Sequence, residues 1–372
     1  MLITLLALGF SLWLRKHTDL DRIEARMRAV GIDPSAPHER RKQDVRWQTL
    51  NNQCPYMCNV REDGSLDVSE GARIRPDTAS ADEVVDAVLE IPLTVVCDWN
   101  ENERLYGLLY TRIIRGDEPA AARSVLALCH MFWSLDSAYS YPSAVASGVT
   151  RSIQRRRQFG RTLSEPRLAP ELRRLADEVE QRLRKPWGFP LAPSLIKAQL
   201  GGSDFLRHAG IMLPGIYDSW FGMLVLSRAG REAYFSGHLQ WYEGVRSAAD
   251  ARSMVRLARS MEPPPRTSLI SISPAAFLDS RPAVMRMARW SITISTHLRL
   301  MAADLDGGPW PEDPFALTPA PLHRAERGGI LMGAWSVGLD GIDQSGSTSK
   351  DVCLSLGPKN GYPKMTDLPS LP

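Results

Sequence analysis

The stretch SVGLDGIDQSGSTSKDV, Ser336 to Val352, holds three aspartates, three glycines and four hydroxyl residues beyond Ser336. Asp340, Asp343 and Asp351 are hard oxygen donors, and Ser345 and Ser347 could add hydroxyl oxygens. Calcium takes roughly six to eight oxygens from carboxylates, hydroxyls and backbone carbonyls. Glycines at 338, 341 and 346 let the backbone turn carbonyls inward. Three carboxylates crowded by one hairpin repel each other, and a divalent ion relieves that. The pattern therefore predicts a cation site at Asp340, Asp343 and Asp351, with calcium as the implied ion. The spacing is not that of an EF-hand. The competing reading is a plain polar loop that turns at Asp340-Gly341.

No other stretch announces chemistry. The chain has no Walker loop, G-x-G-x-x-G, G-x-S-x-G or H-E-x-x-H. Its histidines stand singly, and a general base needs a partner within about 3 Å. His130 and His297 lie in helical patterns, where a structural hydrogen bond is the expected role. Glu101 and Glu103 precede a helix and suit its dipole. No catalytic or cofactor-binding residue is assigned. Cys54 and Cys58 are spaced for a local disulfide in an oxidising compartment. Cys129 falls on an apolar helical stripe and reads as a buried thiol.

The elements that must hold the loop are mostly helical. "DLDRIEARMRAVG" reads as a short charged helix ended by Gly31. Residues 32–80 lack periodicity. From 81 onward, Ser80 can cap a helix with Val84, Val85, Val88 and Leu89 on one face. Leu105, Leu108, Leu109 and Ile113 form one helical stripe, and Val125, Leu128, Cys129 and Phe132 form a second. Between them Gly116 can take a left-handed C′ conformation, Asp117 can cap, and Pro119 fits the first turn. This unit, 98–137, is similar to a tetratricopeptide hairpin. Further helices are expected at 144–160, 170–185, 194–200, 211–237 and 248–260, and a long one at 282–304. Alternation then predicts an antiparallel pair from "ILMGAWSV" and "DVCLSL", with Val352, Leu354 and Leu356 on one face. The expected fold is mainly α, an antiparallel helical-hairpin body with a small C-terminal antiparallel β element. The domain plan is 1–17 anchor, 18–80 charged helix and linker, 81–260 helical body, 261–308 loop and long helix, 309–358 β region and 359–372 tail.

That C-terminal region resembles the end of the major pseudopilins of type II secretion. Gly308, Trp310 and Pro311 are followed by Asp313, Pro314 and Phe315, then Pro321 and Leu322. Ser336, Gly338, Asp340, Gly341, Asp343 and Asp351 come next. The resemblance covers about 50 residues, and it implies that the last loop holds calcium. The chain departs from the family in lacking the prepilin processing signature. It also places roughly 260 residues between its N-terminal segment and the last long helix. As a whole it looks more like a group of uncharacterised bacterial envelope proteins with an N-terminal anchor, a helical body and this ending.

Met1 to Leu14 is an apolar run that spans about 21 Å as a helix, against a hydrocarbon core of about 30 Å. It reads as the second half of a membrane anchor that begins upstream. Arg15, Lys16, Arg22, Arg26 and Arg28 follow it and favour a cytoplasmic flank. The expected address is nonetheless the bacterial inner membrane, with the body in the periplasm. From Arg151 to Lys185, eleven basic residues face five acids. This reads as a solvated helical face or as a contact for anionic lipid headgroups. The net charge of +3 is too small to argue for a nucleic-acid partner. The functional expectation is a non-enzymatic, membrane-anchored scaffold for an unidentified protein partner. The alternative is a hydrolase with its site in a groove of the helical body.

Overall fold

The computed structural model describes residues 19–31, 44–54, 58–60, 66–68, 78–97, 102–134, 142–184, 232, 235–261, 281–327, 330–338, 341–346 and 351–357. It is mainly helical with a small antiparallel sheet. The helices with bounds in the described residues are α1 (Leu20–Ala29), α2 (Val45–Gln53), α3 (Thr78–Glu90), α4 (Glu103–Arg115), α5 (Glu118–Trp133), α6 (Pro142–Gln158), α7 (Leu168–Arg184), α8 (Ala251–Ser260) and α9 (Arg281–Asp306), and residues 235–245 are helical as well. The strands are β1 (Cys58–Val60), β2 (Leu66–Val68), β3 (His323–Arg327), β4 (Ile330–Ser336) and β5 (Val352–Ser355). The anchor segment 1–17, the expected helix at 194–200, most of that at 211–237 and the tail 359–372 lie outside the described residues. Among the described residues, no helix is long and apolar enough to cross a membrane.

The chain forms two compact units: Met1–Glu39 with Leu183–Arg289, and Arg40–Arg182 with Trp290–Pro372. In the first, α1 buries Leu20, Ile23 and Met27, which the helical period places on one side. Gly31 ends that helix at φ +85°, as its sequence position requires. The Arg26 Nη2 guanidinium meets Glu243 Oε2 at 2.5 Å. Trp241 is fully buried and donates its indole N–H to the Leu183 carbonyl at 3.1 Å.

The second unit is built on two helix pairs. Leu105, Leu109 and Ile113 of α4 and Val125, Leu128, Cys129 and Phe132 of α5 are wholly buried in one cluster. Removing a buried leucine side chain from such a core costs about 2–5 kcal/mol. Contacts advance together along α4 and α6: Gly148 lies against Tyr106, and Arg156 reaches the Ile113 carbonyl. These helices therefore run side by side in the same direction. α5 and α7 do likewise. Glu118 accepts from the Ser164 N–H near their starts, and Arg182 donates to the Phe132 carbonyl near their ends. α7 buries Leu172, Leu175, Ala176, Val179 and Leu183 as the sequence period indicates. Against α7, α9 runs the opposite way. Arg173 forks onto Asp306 at 2.6 and 2.8 Å, while Arg299 meets Asp177 and Glu180.

Four expectations need correcting. Gly116 is not left-handed; it sits at φ −59° and ψ 164°. Its carbonyl and that of Ile113 accept from Arg156 Nη1 at 2.7 and 3.1 Å, so a guanidinium from α6 satisfies the end of α4. Asp117 does cap α5, accepting from the Ala120 N–H at 2.9 Å, with Pro119 in the first turn. Ser80 is not a cap, because α3 starts earlier, at Thr78. Strand is not confined to the C-terminus: β1 and β2 pair as a short hairpin, Cys58 opposite Val68. Finally, the basic run is not simply a solvated face. Arg156, Arg157 and Arg182 are buried, and Arg173 is paired with Asp306.

Arg156 is the clearest of these to test. Its Nε also donates to the Thr162 carbonyl at 2.7 Å, so one side chain satisfies three carbonyls. Each buried acceptor left without a donor costs about 1–3 kcal/mol. Arg156→Met should lower stability by about 3 kcal/mol, read as a shifted midpoint in chemical denaturation. An unchanged midpoint would mean that water takes over the three carbonyls.

Candidate functional site

The C-terminal sheet hangs from the end of α9. Gly307 ends the helix at φ +67°, and the Gly308 N–H donates to Asp306 Oδ1 at 2.9 Å. A side chain at 308 would lie 2.5 Å from Arg173 Nη2, so it would push the Arg173–Asp306 pair aside. The loop that follows closes on itself. Leu322 N–H reaches the Pro311 carbonyl at 3.0 Å, and Asp313 N–H reaches Ala320 at 2.8 Å. The Trp310 indole N–H adds a bond to the Leu322 carbonyl at 2.8 Å. β3, β4 and β5 then form an antiparallel sheet in that order, with His323 opposite Trp335 and Trp335 opposite Cys353. β4 and β5 are the expected pair, and β3 is an addition. A β-bulge between Ala325 and Glu326 interrupts the register opposite Gly333. A Cβ at Gly333 would lie 2.2 Å from the Leu354 carbonyl oxygen, so only glycine permits that approach.

At the root of the sheet is a buried carboxylate. Asp313 has no solvent exposure. Its Oδ1 accepts from the Ser336 hydroxyl at 2.7 Å and the Phe315 N–H at 2.8 Å, and its Oδ2 accepts from the Val337 N–H at 3.0 Å. Ser336 Oγ in turn accepts from the Gly338 N–H at 3.3 Å. The D-P-F and S-x-G motifs, more than twenty residues apart in sequence, are thus one hydrogen-bonded knot.

The aspartates of the opening loop have separate surroundings. Asp340 and Ser347 lie outside the described residues. Asp343 Oδ1 accepts from the Trp335 indole N–H at 3.0 Å and the Ser345 N–H at 2.8 Å, and its Oδ2 is 3.6 Å from His323 Nδ1. These donors, the indole first, hold the Asp343 carboxyl below its ordinary pKa. Trp335 is stacked on His323 and also lies against Gly346. Asp351 is buried, and its Oδ2 accepts from the N–H groups of Gln344 and Gly346 at 3.1 and 2.8 Å. Its Oδ1 is buried and has no hydrogen-bond partner among the described residues. Among the described residues, no three His, Cys, Asp or Glu side chains converge on one point. The described part of the loop is a turn stitched by carboxylate-to-amide bonds, with one carboxylate oxygen, Asp351 Oδ1, left over. An open groove of about 750 Å³ lies on the sheet, lined in part by Arg324, Trp335, Gly346 and Cys353.

The remaining sequence candidates are structural. His130 Nε2 bonds the Ile91 carbonyl at 2.6 Å, and His297 Nε2 bonds the Ser355 carbonyl at 2.7 Å. Cys129 is wholly buried, and burial pushes its thiol up to about 12. Cys54 is a free, buried thiol donating to the Leu50 carbonyl, so the Cys54–Cys58 disulfide allowed by spacing is not formed. Glu103 lies in the first turn of α4, as its dipole favours. Sequence reasoning missed His323 and Trp335 as partners of Asp343. Strand alternation across β3 was the signal available, and the Pro-rich approach to it concealed the strand.

The chain matches no protein-family model, and no curated protein or solved structure is significantly similar to it.

Two outcomes follow from this geometry. Asp313→Asn turns one acceptor oxygen into a donor facing N–H or O–H groups, and should cost about 2–4 kcal/mol by denaturant unfolding. Equal stability would remove the knot from its structural role. Burial against β5 pulls the His297 pKa down to about 4, whereas an unfolded histidine titrates near 6.5. The unfolded chain therefore takes up this proton first as pH falls. The His297 contribution is complete above about pH 6.5 and declines toward pH 4. Melting temperatures measured across that window should fall with acid, and His297→Gln should flatten the slope.

Proposed function

We propose that this chain is a non-enzymatic, membrane-anchored envelope scaffold, whose helical body carries a pseudopilin-like module at its C-terminal end. One observation carries the reading. Asp313, Phe315, Ser336 and Gly338, the residues that bear the resemblance, meet in one buried network at the end of a long helix. A motif scattered along the chain that closes into a single knot is expected of a folding module. The tetratricopeptide-like character of 98–137 draws support from the parallel course of α4 and α6 and of α5 and α7. Stacked helix pairs of this kind expose long faces suited to holding a protein partner. The anchor is Met1 to Leu14, the address is the bacterial inner membrane, and the body is periplasmic. Full-length protein should fractionate with membranes, and residues 18–372 should be soluble. Protease added to spheroplasts should degrade the body, and a protected body would reverse the topology.

A cation in the last loop belongs to the same reading, because Asp351 Oδ1 is buried without a hydrogen bond to any described residue. Asp351 and Asp343, with Asp340, are the carboxylates that would hold calcium. A ligand that binds only the folded state raises the melting temperature by mass action. Millimolar calcium should therefore stabilise the protein, and Asp351→Asn should abolish the increment. No heat of binding in calorimetry and no shift in melting would leave the loop a stitched polar turn.

A further inference from the structure

The C-terminal sheet turns one face to the core. Ala334 and Leu354 belong to the buried cluster. Alternation therefore sends Gly333, Trp335, Cys353 and Ser355 to the opposite face. There Ala325, Gly333 and Ser355 stand in register across β3, β4 and β5, a row of small residues. The neighbouring row carries Trp335 and Cys353. The step from small to large side chains accounts for the open groove of about 750 Å³. Arg324, its guanidinium carbon 4.7 Å above the Trp310 ring, and Glu326 put one charge of each sign on the β3 side of that groove. Cys353 is an exposed free thiol on the β5 side.

Ser355, which lines the groove, is also where the last strand ends. Residues 358–372 follow Gly357 and lie outside the described residues. Their sequence has a period. Tyr362, Met365, Leu368 and Leu371 recur at every third position, with prolines at 358, 363, 369 and 372. Prolines at 363 and 369 oppose a helix or a central strand. Three residues per turn is the repeat of a polyproline II helix, which sets these apolar side chains on one side. Lys364, Asp367 and Ser370 share the next side. Segments of this kind dock in grooves with an aromatic wall, because the extended chain loses little entropy on binding. Residues 358–361 cover about 13 Å, enough to bring the apolar positions from Gly357 to the groove. A tether that short gives an effective concentration of roughly millimolar, so a weak contact suffices.

We propose that the groove is the docking site of this chain's own residues 362–371, laid in it as a polyproline strip with Tyr362, Met365, Leu368 and Leu371 against the sheet. Lys364 and Asp367 are the counterparts of Glu326 and Arg324. The proposal goes beyond the scaffold reading and depends on neither the anchor nor the cation.

Cys353 reports occupancy, because a strip lying in the groove covers its thiol. In the full-length protein, with a chelator present, maleimide labelling of Cys353 is followed by peptide mass spectrometry, which separates it from the other thiols. Leu368→Asp with Leu371→Asp should speed that labelling by about tenfold or more, since a docked tethered segment leaves the groove open for only a small fraction of the time. Ser370→Asp, on the polar side of the strip, should leave the rate unchanged. The buried thiols Cys54, Cys97 and Cys129 should stay unlabelled in every variant, which separates an open groove from an unfolded protein. A synthetic peptide of residues 358–372 should slow labelling of the double variant again, and the same peptide with both aspartates should not. The proposal is overturned if Cys353 labels equally fast in the wild type and the double variant, or if the peptide restores no protection. Protection that is lost on dilution would put a second copy's tail in the groove and overturn the assignment to the same chain.

Discussion

A guanidinium buried in a protein core must give its N–H donors to something, because leaving them unpaired costs several kcal/mol. Two adjacent arginines on α6 impose that demand on the second unit. Arg156 gives its donors to the carbonyls of Ile113, Gly116 and Thr162. Arg157 forms an ion pair with Asp304 of α9 at 2.8 Å and donates from Nη1 to the Leu356 carbonyl, just beyond β5, at 3.4 Å. One turn of one helix thus fixes the α4–α5 turn, the long helix and the last strand. Gly357, at φ +71°, lies directly against Arg157 and the Gln154 carbonyl. The strand meets the helix there with no side chain between.

The two kinds of tie differ in partner. Arg156 has only carbonyl acceptors in its immediate shell, and burial with the nearby Arg161 lowers its pKa from the ordinary value. Its charge is balanced by dipoles and by the more distant Glu118 and Asp117. The Arg157–Asp304 pair is neutral overall. Breaking such a buried pair by removing one partner is expensive even where its net worth is small. Asp313 repeats the scheme with the opposite charge, a buried carboxylate surrounded by N–H and O–H donors. Helix end, sheet root and loop are each closed by one ionised group that gathers backbone atoms from distant positions.

These ties also decide which charges face outward. A run of eleven basic residues looks uniform as a string, but along α6 successive positions point about 100° apart. Arg156 and Arg157 fall on the packed side, while Arg151 is exposed and Arg155 half-buried.

The sequence by itself determined the helical body, because apolar spacing survives without knowledge of neighbours. Leu105, Leu109 and Ile113, then Val125, Leu128, Cys129 and Phe132, then Leu172, Leu175, Ala176, Val179 and Leu183 are buried where their period places them, while Leu108 of the first stripe is half-buried. It also determined the cap at Asp117, which depends on a residue three positions away, and the β4–β5 pairing, because period-two alternation marks both strands on either side of a single loop. What joins distant residues was left to the tertiary structure. Gly116 looked left-handed because glycine after a helix usually is, and an arginine forty residues away made that conformation unnecessary. The loop aspartates looked like ligands because spacing counts carboxylates but not the amides that reach them. Asp343 took the Trp335 indole and the Ser345 amide, and Asp351 kept one oxygen free. Hydrogen-bond partners are settled by which elements pack together, and no local pattern encodes that.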